Sequence, residues 1–140
     1  MRSHRPKRQT GSMLLETMVA LLIFSLGILA IVGMQATSIK LAGDAKYRTD
    51  ASLLANQLIG EMWVSDRSAA ALQSNFSSPS GAAYMSWLSG VQAALPGAGA
   101  NPPTVTVNGN NLVTVRVFWN APGDGASAPA HAQTVIAQIK

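Results

Sequence analysis

The chain contains no cysteine, which excludes a disulfide scaffold, a thiolate zinc site and a cysteine nucleophile. Only 11% of its 140 residues are charged, less than half the usual quarter, and two histidines leave little material for imidazole chemistry. With 48% hydrophobic residues it is too apolar to be disordered throughout, and it is long enough for one domain. Composition alone therefore makes an enzyme a poor first hypothesis, and we expect no cofactor.

The excess of positive charge is confined to the N-terminus, at Arg2, Arg5, Lys7 and Arg8. From residue 12 onward the formal charges cancel, because this part of the chain has six basic and six acidic residues. The basic residues are Lys40, Lys46, Arg48, Arg67, Arg116 and Lys140, and the acidic residues are Glu16, Asp44, Asp50, Glu61, Asp66 and Asp124. No basic surface with interleaved aromatic residues follows the arm, so we expect no nucleic-acid partner.

An uncharged run from Thr17 to Met34 follows the basic arm, within the stretch MLLETMVALLIFSLGILAIVGM of residues 13–34. The run is about as long as a helix that crosses the bilayer core, and basic residues before it keep that end in the cytoplasm. It predicts a single membrane span with everything after Met34 exported. Two alternatives are an uncleaved signal anchor and a secretory signal cleaved near Ala30, Gly33 or Ala36.

Glu16 fits neither alternative, because it lies inside the apolar stretch. An acid within a membrane span is costly and marks a functional site by default. The other interpretation is that Glu16 lies near the cytoplasmic interface and stays hydrated.

The segment Gly11-Ser12-Met13-Leu14-Leu15-Glu16, between a short basic leader and a long apolar helix, resembles the class III signal of type IV pilins and type II secretion pseudopilins. The resemblance implies that a prepilin peptidase removes residues 1–11 by cutting after Gly11, and then N-methylates Ser12. The family most often has phenylalanine at the position of Ser12, so cleavage is expected to depend on Gly11. The helix of residues 12–35 would be retained as membrane span and filament core.

A physical role for Glu16 follows from this cleavage. The new α-amino group of Ser12 would be mostly charged at neutral pH, and an ammonium buried among apolar helices without a partner is costly. The Glu16 carboxylate of a neighbouring subunit would neutralise it and penalise every wrong stagger. We therefore expect Glu16 to set the subunit register, and Gly27 and Gly33 to permit close packing of membrane helices.

No proline occurs between Pro6 and Pro79, which predicts one helix from about Met13 to about Ser65. The alternative is a pair of helices broken near Gly43. Within residues 36–65 the helix becomes amphipathic, and its apolar stripe must cover another part of the chain. The stripe consists of Leu54, Leu58 and Met62, flanked by Ala51 and Ala55.

Residues 66–140 are predicted to form an exported α+β head. We expect a polar loop over residues 66–82, a short amphipathic helix over 83–95, strands at Thr104–Val107 and Leu112–Trp119 joined by an Asn-Gly turn, and a last strand at Gln133–Ile139. The resulting fold class is α+β, a long N-terminal helix packed on a small antiparallel β-sheet, which is the lollipop architecture of pilins. His131 is predicted to be a surface residue that forms no catalytic pair with Asp124, and no metal-ligand spacing occurs.

Within the family, the chain is most similar to minor pilins of the PilV type. The absence of cysteine excludes the C-terminal disulfide loop usual in major pilins, and the similar stretches are 16–35, 53–62 and 87–97. The resemblance implies a structural subunit of the bacterial inner membrane, with a cytoplasmic N-terminus and a periplasmic head, that helps to initiate pilus assembly. The implied partners are the prepilin peptidase, other minor pilins, the major pilin, the inner-membrane assembly platform and membrane lipid. A type II secretion pseudopilin and a plain signal-anchored periplasmic binding module are the alternatives.

Overall fold

The computed structural model describes residues 10–125 and 127–140. The chain divides into two compact units, one ending at Ile39 and one comprising Lys40–Lys140. Its elements in chain order are α1 (Thr10–Val64), α2 (Ala69–Phe76), α3 (Ala82–Ala94), β1 (Thr104–Val107), β2 (Leu112–Trp119) and β3 (His131–Gln138).

The first helix, α1, is continuous over 55 residues. It passes through Gly43 without a break, so the alternative of two helices is wrong and the single predicted helix is confirmed. No residue between Pro6 and Pro79 removes a backbone donor, which lets the hydrogen-bond ladder continue. Each internal glycine costs the helix up to about 1 kcal/mol against alanine without ending it.

The predicted loop over residues 66–82 is wrong in part, because residues 69–76 form α2. The Ser68 side chain caps this helix by accepting a hydrogen bond from the Ala71 N–H, at 3.4 Å. Asp66 accepts hydrogen bonds from Ser68, which lower the pKa of the Asp66 carboxyl. Leu72 and Phe76, four positions apart, are buried on one face of α2 and attach it to the core.

The helix predicted over residues 83–95 is present as α3, and its aromatic residues pack into the core as expected. The polar atoms of both aromatic side chains form hydrogen bonds with backbone carbonyls. The Tyr84 hydroxyl donates to the Pro103 carbonyl at 2.8 Å, and Trp87 Nε1 donates to the Leu54 carbonyl at 2.9 Å. Burial raises the pKa of Tyr84. Gly81 immediately precedes α3. A Cβ atom at this position would overlap the backbone of Asn75, so the close approach of the two segments requires glycine.

The three strands form an antiparallel sheet in the order β1-β2-β3. The predicted bounds of β1 and β2 are confirmed, and the turn between them contains Asn111 at φ 57°. Asn108 Oδ1 closes this turn by accepting from the N–H groups of Asn110 and Leu112. The last strand begins at His131, two residues before the predicted Gln133, and ends at Gln138.

The core of the second unit lies between one face of the sheet and the last turns of α1. Val113, Val115 and Val117 of β2 alternate toward this core and are fully buried. The facing residues of α1 are also fully buried: Ala51, Ala55, Leu58 and Met62. The amphipathic stripe of α1 therefore covers the C-terminal part of its own chain, as predicted, and each large side chain buried there contributes roughly 1.5–3 kcal/mol.

Candidate functional site

The predicted cleavage site lies in the first turn of α1, where Gly11 and Ser12 are exposed. Residues 1–9 of the predicted leader lie outside the described residues. A Cβ at Gly11 would meet no atom within 4 Å, so neither space nor backbone conformation requires glycine here. Recognition by a peptidase remains the predicted reason for this glycine.

Glu16 follows Ser12 by one helical turn and therefore lies on the same face of α1. Its side chain is exposed, and among the described residues it forms no ion pair. It is also the only charged residue between Gly11 and Ile39. The partner predicted for it, the amino group of a neighbouring subunit, would exist only after cleavage and assembly.

The remainder of the first unit presents an uncovered apolar surface. Every residue from Gly11 to Ile39 is exposed, including Phe24 at 67% and Leu29 at 69%. The helix is long and apolar enough to cross a membrane, and none of its most apolar window is buried, which distinguishes it from the core helix of a soluble protein. Soluble monomers rarely expose apolar patches of this size, and an uncovered apolar helix near the N-terminus is typical of a membrane span or a signal sequence.

Hydroxyl groups in this apolar helix are satisfied within the helix itself. Thr17 Oγ1 donates to the Met13 carbonyl at 2.8 Å, and Ser25 Oγ donates to the Leu21 carbonyl at 2.7 Å. Hydrogen bonds to the carbonyl four residues earlier remove the need for water around these side chains. The polar residues of the run are therefore compatible with a lipid environment.

Gly27 and Gly33 lie within α1, and a Cβ at either would meet no atom within 4 Å. No contact with the part of the chain that the structure describes explains these two glycines. Each leaves a notch on the exposed helix surface, and small residues of this kind allow two membrane helices to approach closely. Their role in packing stays a prediction.

A polar cluster in the second unit joins α1 to the start of β3. His131 Nε2 lies 3.0 Å from Asp124 Oδ2, and His131 Nδ1 lies 3.7 Å from Asp44 Oδ1. Lys40 Nζ lies 3.5 Å from Asp124 Oδ1. The His131 ring also stacks on the Trp119 indole, with centroids 5.5 Å apart.

The electrostatics of this cluster centre on Asp124. Desolvation acts to raise the pKa of its carboxyl, but hydrogen bonds from the Ala121 N–H, His131 and Lys40 outweigh it, so the pKa of Asp124 is lowered. His131 Nε2 is hydrogen-bonded to Asp124, whereas Asp44 Oδ1, 3.7 Å from His131 Nδ1, is buried without a hydrogen-bond partner among the described residues. What the arrangement can do is hold the β2–β3 connection against α1.

The sequence predicts His131 to be a surface residue, and its side chain is 34% exposed, with one ring nitrogen 3.0 Å from Asp124 and the other 3.7 Å from Asp44. Sequence reasoning missed Lys40 and Asp44. The available signal was their spacing of four, which puts both on one helical face. No group of three residues suited to a metal ion occurs in the described ranges.

A cleft of about 500 Å³ lies beside the cluster, and Asp124 is its only ionisable lining residue. That carboxylate is already engaged by Ala121, His131 and Lys40. Two other polar side chains of the lining bind each other, since Asn101 Nδ2 donates to Asn120 Oδ1 at 3.1 Å. The charged group of the cleft is thus already engaged within the chain.

Comparison of the chain with models of protein families, with curated proteins and with solved structures finds no match.

Proposed function

We propose that this chain is a minor subunit of a type IV pilus, most similar to the PilV type, that is cleaved after Gly11 and helps to prime filament assembly from the bacterial inner membrane. It is a structural protein. Its head would lie in the periplasm, and its partners would be the prepilin peptidase, other minor pilins, the major pilin and the assembly platform.

The observation that carries the proposal is the first unit of the structure. A continuous helix contains the predicted cleavage site and exposes apolar side chains on all sides from Gly11 to Ile39, with Glu16 as the single charge of that range. A plain signal anchor would need the apolar length but not an acid one turn after a glycine-flanked N-terminus. A subunit that packs among identical helices needs both.

The mechanism is electrostatic registry within an apolar bundle. After cleavage, the α-amino group of Ser12 would enter a low-dielectric environment, where an unpaired charge costs several kcal/mol. Glu16 of an adjoining subunit supplies the compensating carboxylate only when the two helices have one axial offset. Wrong offsets leave two unpaired charges, so the correct one is selected.

The decisive variants are Glu16→Ala and Glu16→Gln, compared with Leu29→Ala on the same helix. Both Glu16 variants should be processed and inserted normally, because the apolar run and Gly11 are intact. Their amount in sheared pili, relative to membranes, should fall at least tenfold, since 1.4 kcal/mol already gives that factor. Quantitative mass spectrometry of the two fractions measures the ratio, and Leu29→Ala should leave it within about twofold.

Normal entry of Glu16→Gln into pili would contradict the pairing. Absence of the wild-type chain from pili in a piliated strain would contradict the pilus assignment and favour a secretion pseudopilin or a plain anchor.

A further inference from the structure

The turn between β1 and β2 contains the one Asn-Gly pair of the chain, Asn108-Gly109. Both residues are exposed, as is Asn110 after them. The Asn111 N–H closes the turn by donating to the Asn108 carbonyl at 3.0 Å, and Asn111 takes the left-handed position at φ 57°. The pair therefore lies at the tip of an ordered hairpin, in contact with water.

Glycine at position 109 is not required by the fold. Its φ lies outside the left-handed region, and a Cβ atom added there would meet no atom within 4 Å beyond its two chain neighbours. Among the described residues, the Gly109 N–H donates no hydrogen bond. Position 109 is thus distinguished by a backbone nitrogen that neither a side chain nor a hydrogen-bond partner shields.

The Asn108 side chain presents its amide carbon to this nitrogen. Asn108 Oδ1 accepts hydrogen bonds from the Asn110 N–H at 3.0 Å and from the Leu112 N–H at 2.9 Å. These donors do not block attack on Cγ, because negative charge develops on this oxygen during the attack and N–H groups stabilise it. Asn108 Nδ2 donates no hydrogen bond within the described part of the chain, so the leaving group is open to water.

We infer that Asn108 is a site of spontaneous covalent modification, at which the backbone nitrogen of Gly109 attacks Cγ of Asn108. The N–Cγ bond forms and the Cγ–Nδ2 bond breaks. Ammonia leaves with the proton of the Gly109 nitrogen, and a five-membered succinimide ring remains. Water then adds to one of the two ring carbonyls and opens the ring to aspartate or isoaspartate at position 108. Because the first step is intramolecular, the fixed proximity of the two groups replaces an encounter in solution.

The two products affect the hairpin differently. Aspartate keeps a side-chain oxygen for the N–H groups of Asn110 and Leu112, and a charged acceptor strengthens such bonds. Isoaspartate instead lengthens the backbone by one carbon next to the pair of Val107 and Val113, and so disturbs the start of the β1–β2 ladder. Either product adds one negative charge to the head.

The chain supplies its own control for this reaction. Asn110 is exposed in the same turn, but the residue after it is Asn111, whose side chain crowds the attacking nitrogen. No asparagine other than Asn108 precedes glycine. If exposure alone decided the reaction, Asn108 and Asn110 would convert at similar rates.

Peptide mass spectrometry of the full-length protein, incubated in detergent at pH 7.4, tests the inference. Conversion of asparagine adds one mass unit, and chromatography separates the aspartate and isoaspartate peptides. Asn108 should convert at least tenfold faster than Asn110. Gly109→Ala should lower the rate at Asn108 at least tenfold with an unchanged Tm, because its Cβ fits the fold but hinders the attack.

A parallel incubation in urea separates the folded turn from the bare sequence. We expect Asn108 to convert in the folded chain as well as in urea, with a native near-ultraviolet circular dichroism spectrum at the start of the folded sample. Conversion in urea alone, equal rates at Asn108 and Asn110, or a rate at Asn108 that Gly109→Ala leaves unchanged would each overturn the inference. None of these results depends on cleavage after Gly11 or on entry into pili.

Discussion

At the residue scale, the polar cluster around Asp124 shows how partners distant in sequence stabilise one another. Asp124 receives hydrogen bonds from its own turn and from His131, and an ion pair from Lys40 on α1. These contacts favour the carboxylate over the carboxylic acid, which is why the pKa of Asp124 is lowered despite desolvation. A pKa lowered by folding means that the folded state binds this proton less readily than the unfolded chain.

The pH dependence of stability follows with a definite sign. The contribution of Asp124 is fully present above the unfolded-state pKa near 4 and is lost as pH falls through the lower folded-state value. Thermal unfolding of the full chain in detergent should therefore show a lower Tm at pH 3 than at pH 7.

Asp124→Asn should lower the Tm at pH 7 and shrink the further loss at pH 3. Asp50→Asn serves as the control, because among the described residues Asp50 pairs only with Lys46 on its own helix, at 3.1 Å, and such surface pairs contribute little. An Asp124→Asn chain with wild-type stability at both pH values would contradict the role assigned to the cluster.

At the element scale, α1 serves two different environments along one continuous helix. Its first part is apolar on all sides, whereas its last turns bury one stripe against the sheet and expose the other. Leu58 and Leu53 lie on opposite faces of those last turns, since Leu58 is fully buried and Leu53 is 67% exposed.

Leu58→Ala should lower the free energy of unfolding by about 2–5 kcal/mol, because it removes buried methyl groups and leaves a cavity. Leu53→Ala makes the same chemical change on the exposed face and should alter it by at most about 0.5 kcal/mol. Denaturant titration of the full chain in detergent, followed by tryptophan fluorescence, measures both. Equal effects of the two substitutions would contradict the assigned orientation of the stripe.

Periodicity explains which elements could be predicted. The proline-free α1, the helical spacing of Tyr84, Trp87 and Val91, and the alternation of β2 each extend over enough residues to identify the element. Helix α2 was missed because it has only eight residues, and its identity depends on the Ser68 cap and on burial of Leu72 and Phe76. Local composition around Ser77 and Pro79 favoured a turn and concealed these contacts.

At the scale of the whole molecule, the two units differ in how far their important residues can be predicted from the sequence. The residues predicted for processing and assembly, Gly11, Ser12 and Glu16, could be proposed from the sequence because they are contiguous and precede an apolar run. The cluster of Lys40, Asp44, Asp124 and His131 could not, because α1 and β3 are brought together only by tertiary packing.

The central claim is that the basic leader is removed and the apolar helix is retained. Intact-mass measurement of the protein extracted from membranes of a strain with an active prepilin peptidase tests this claim most directly. We predict a mature chain that begins at Ser12, with or without one added methyl group, and that still contains residues 12–35. An N-terminus at Met1, or one beyond residue 30, would contradict the account.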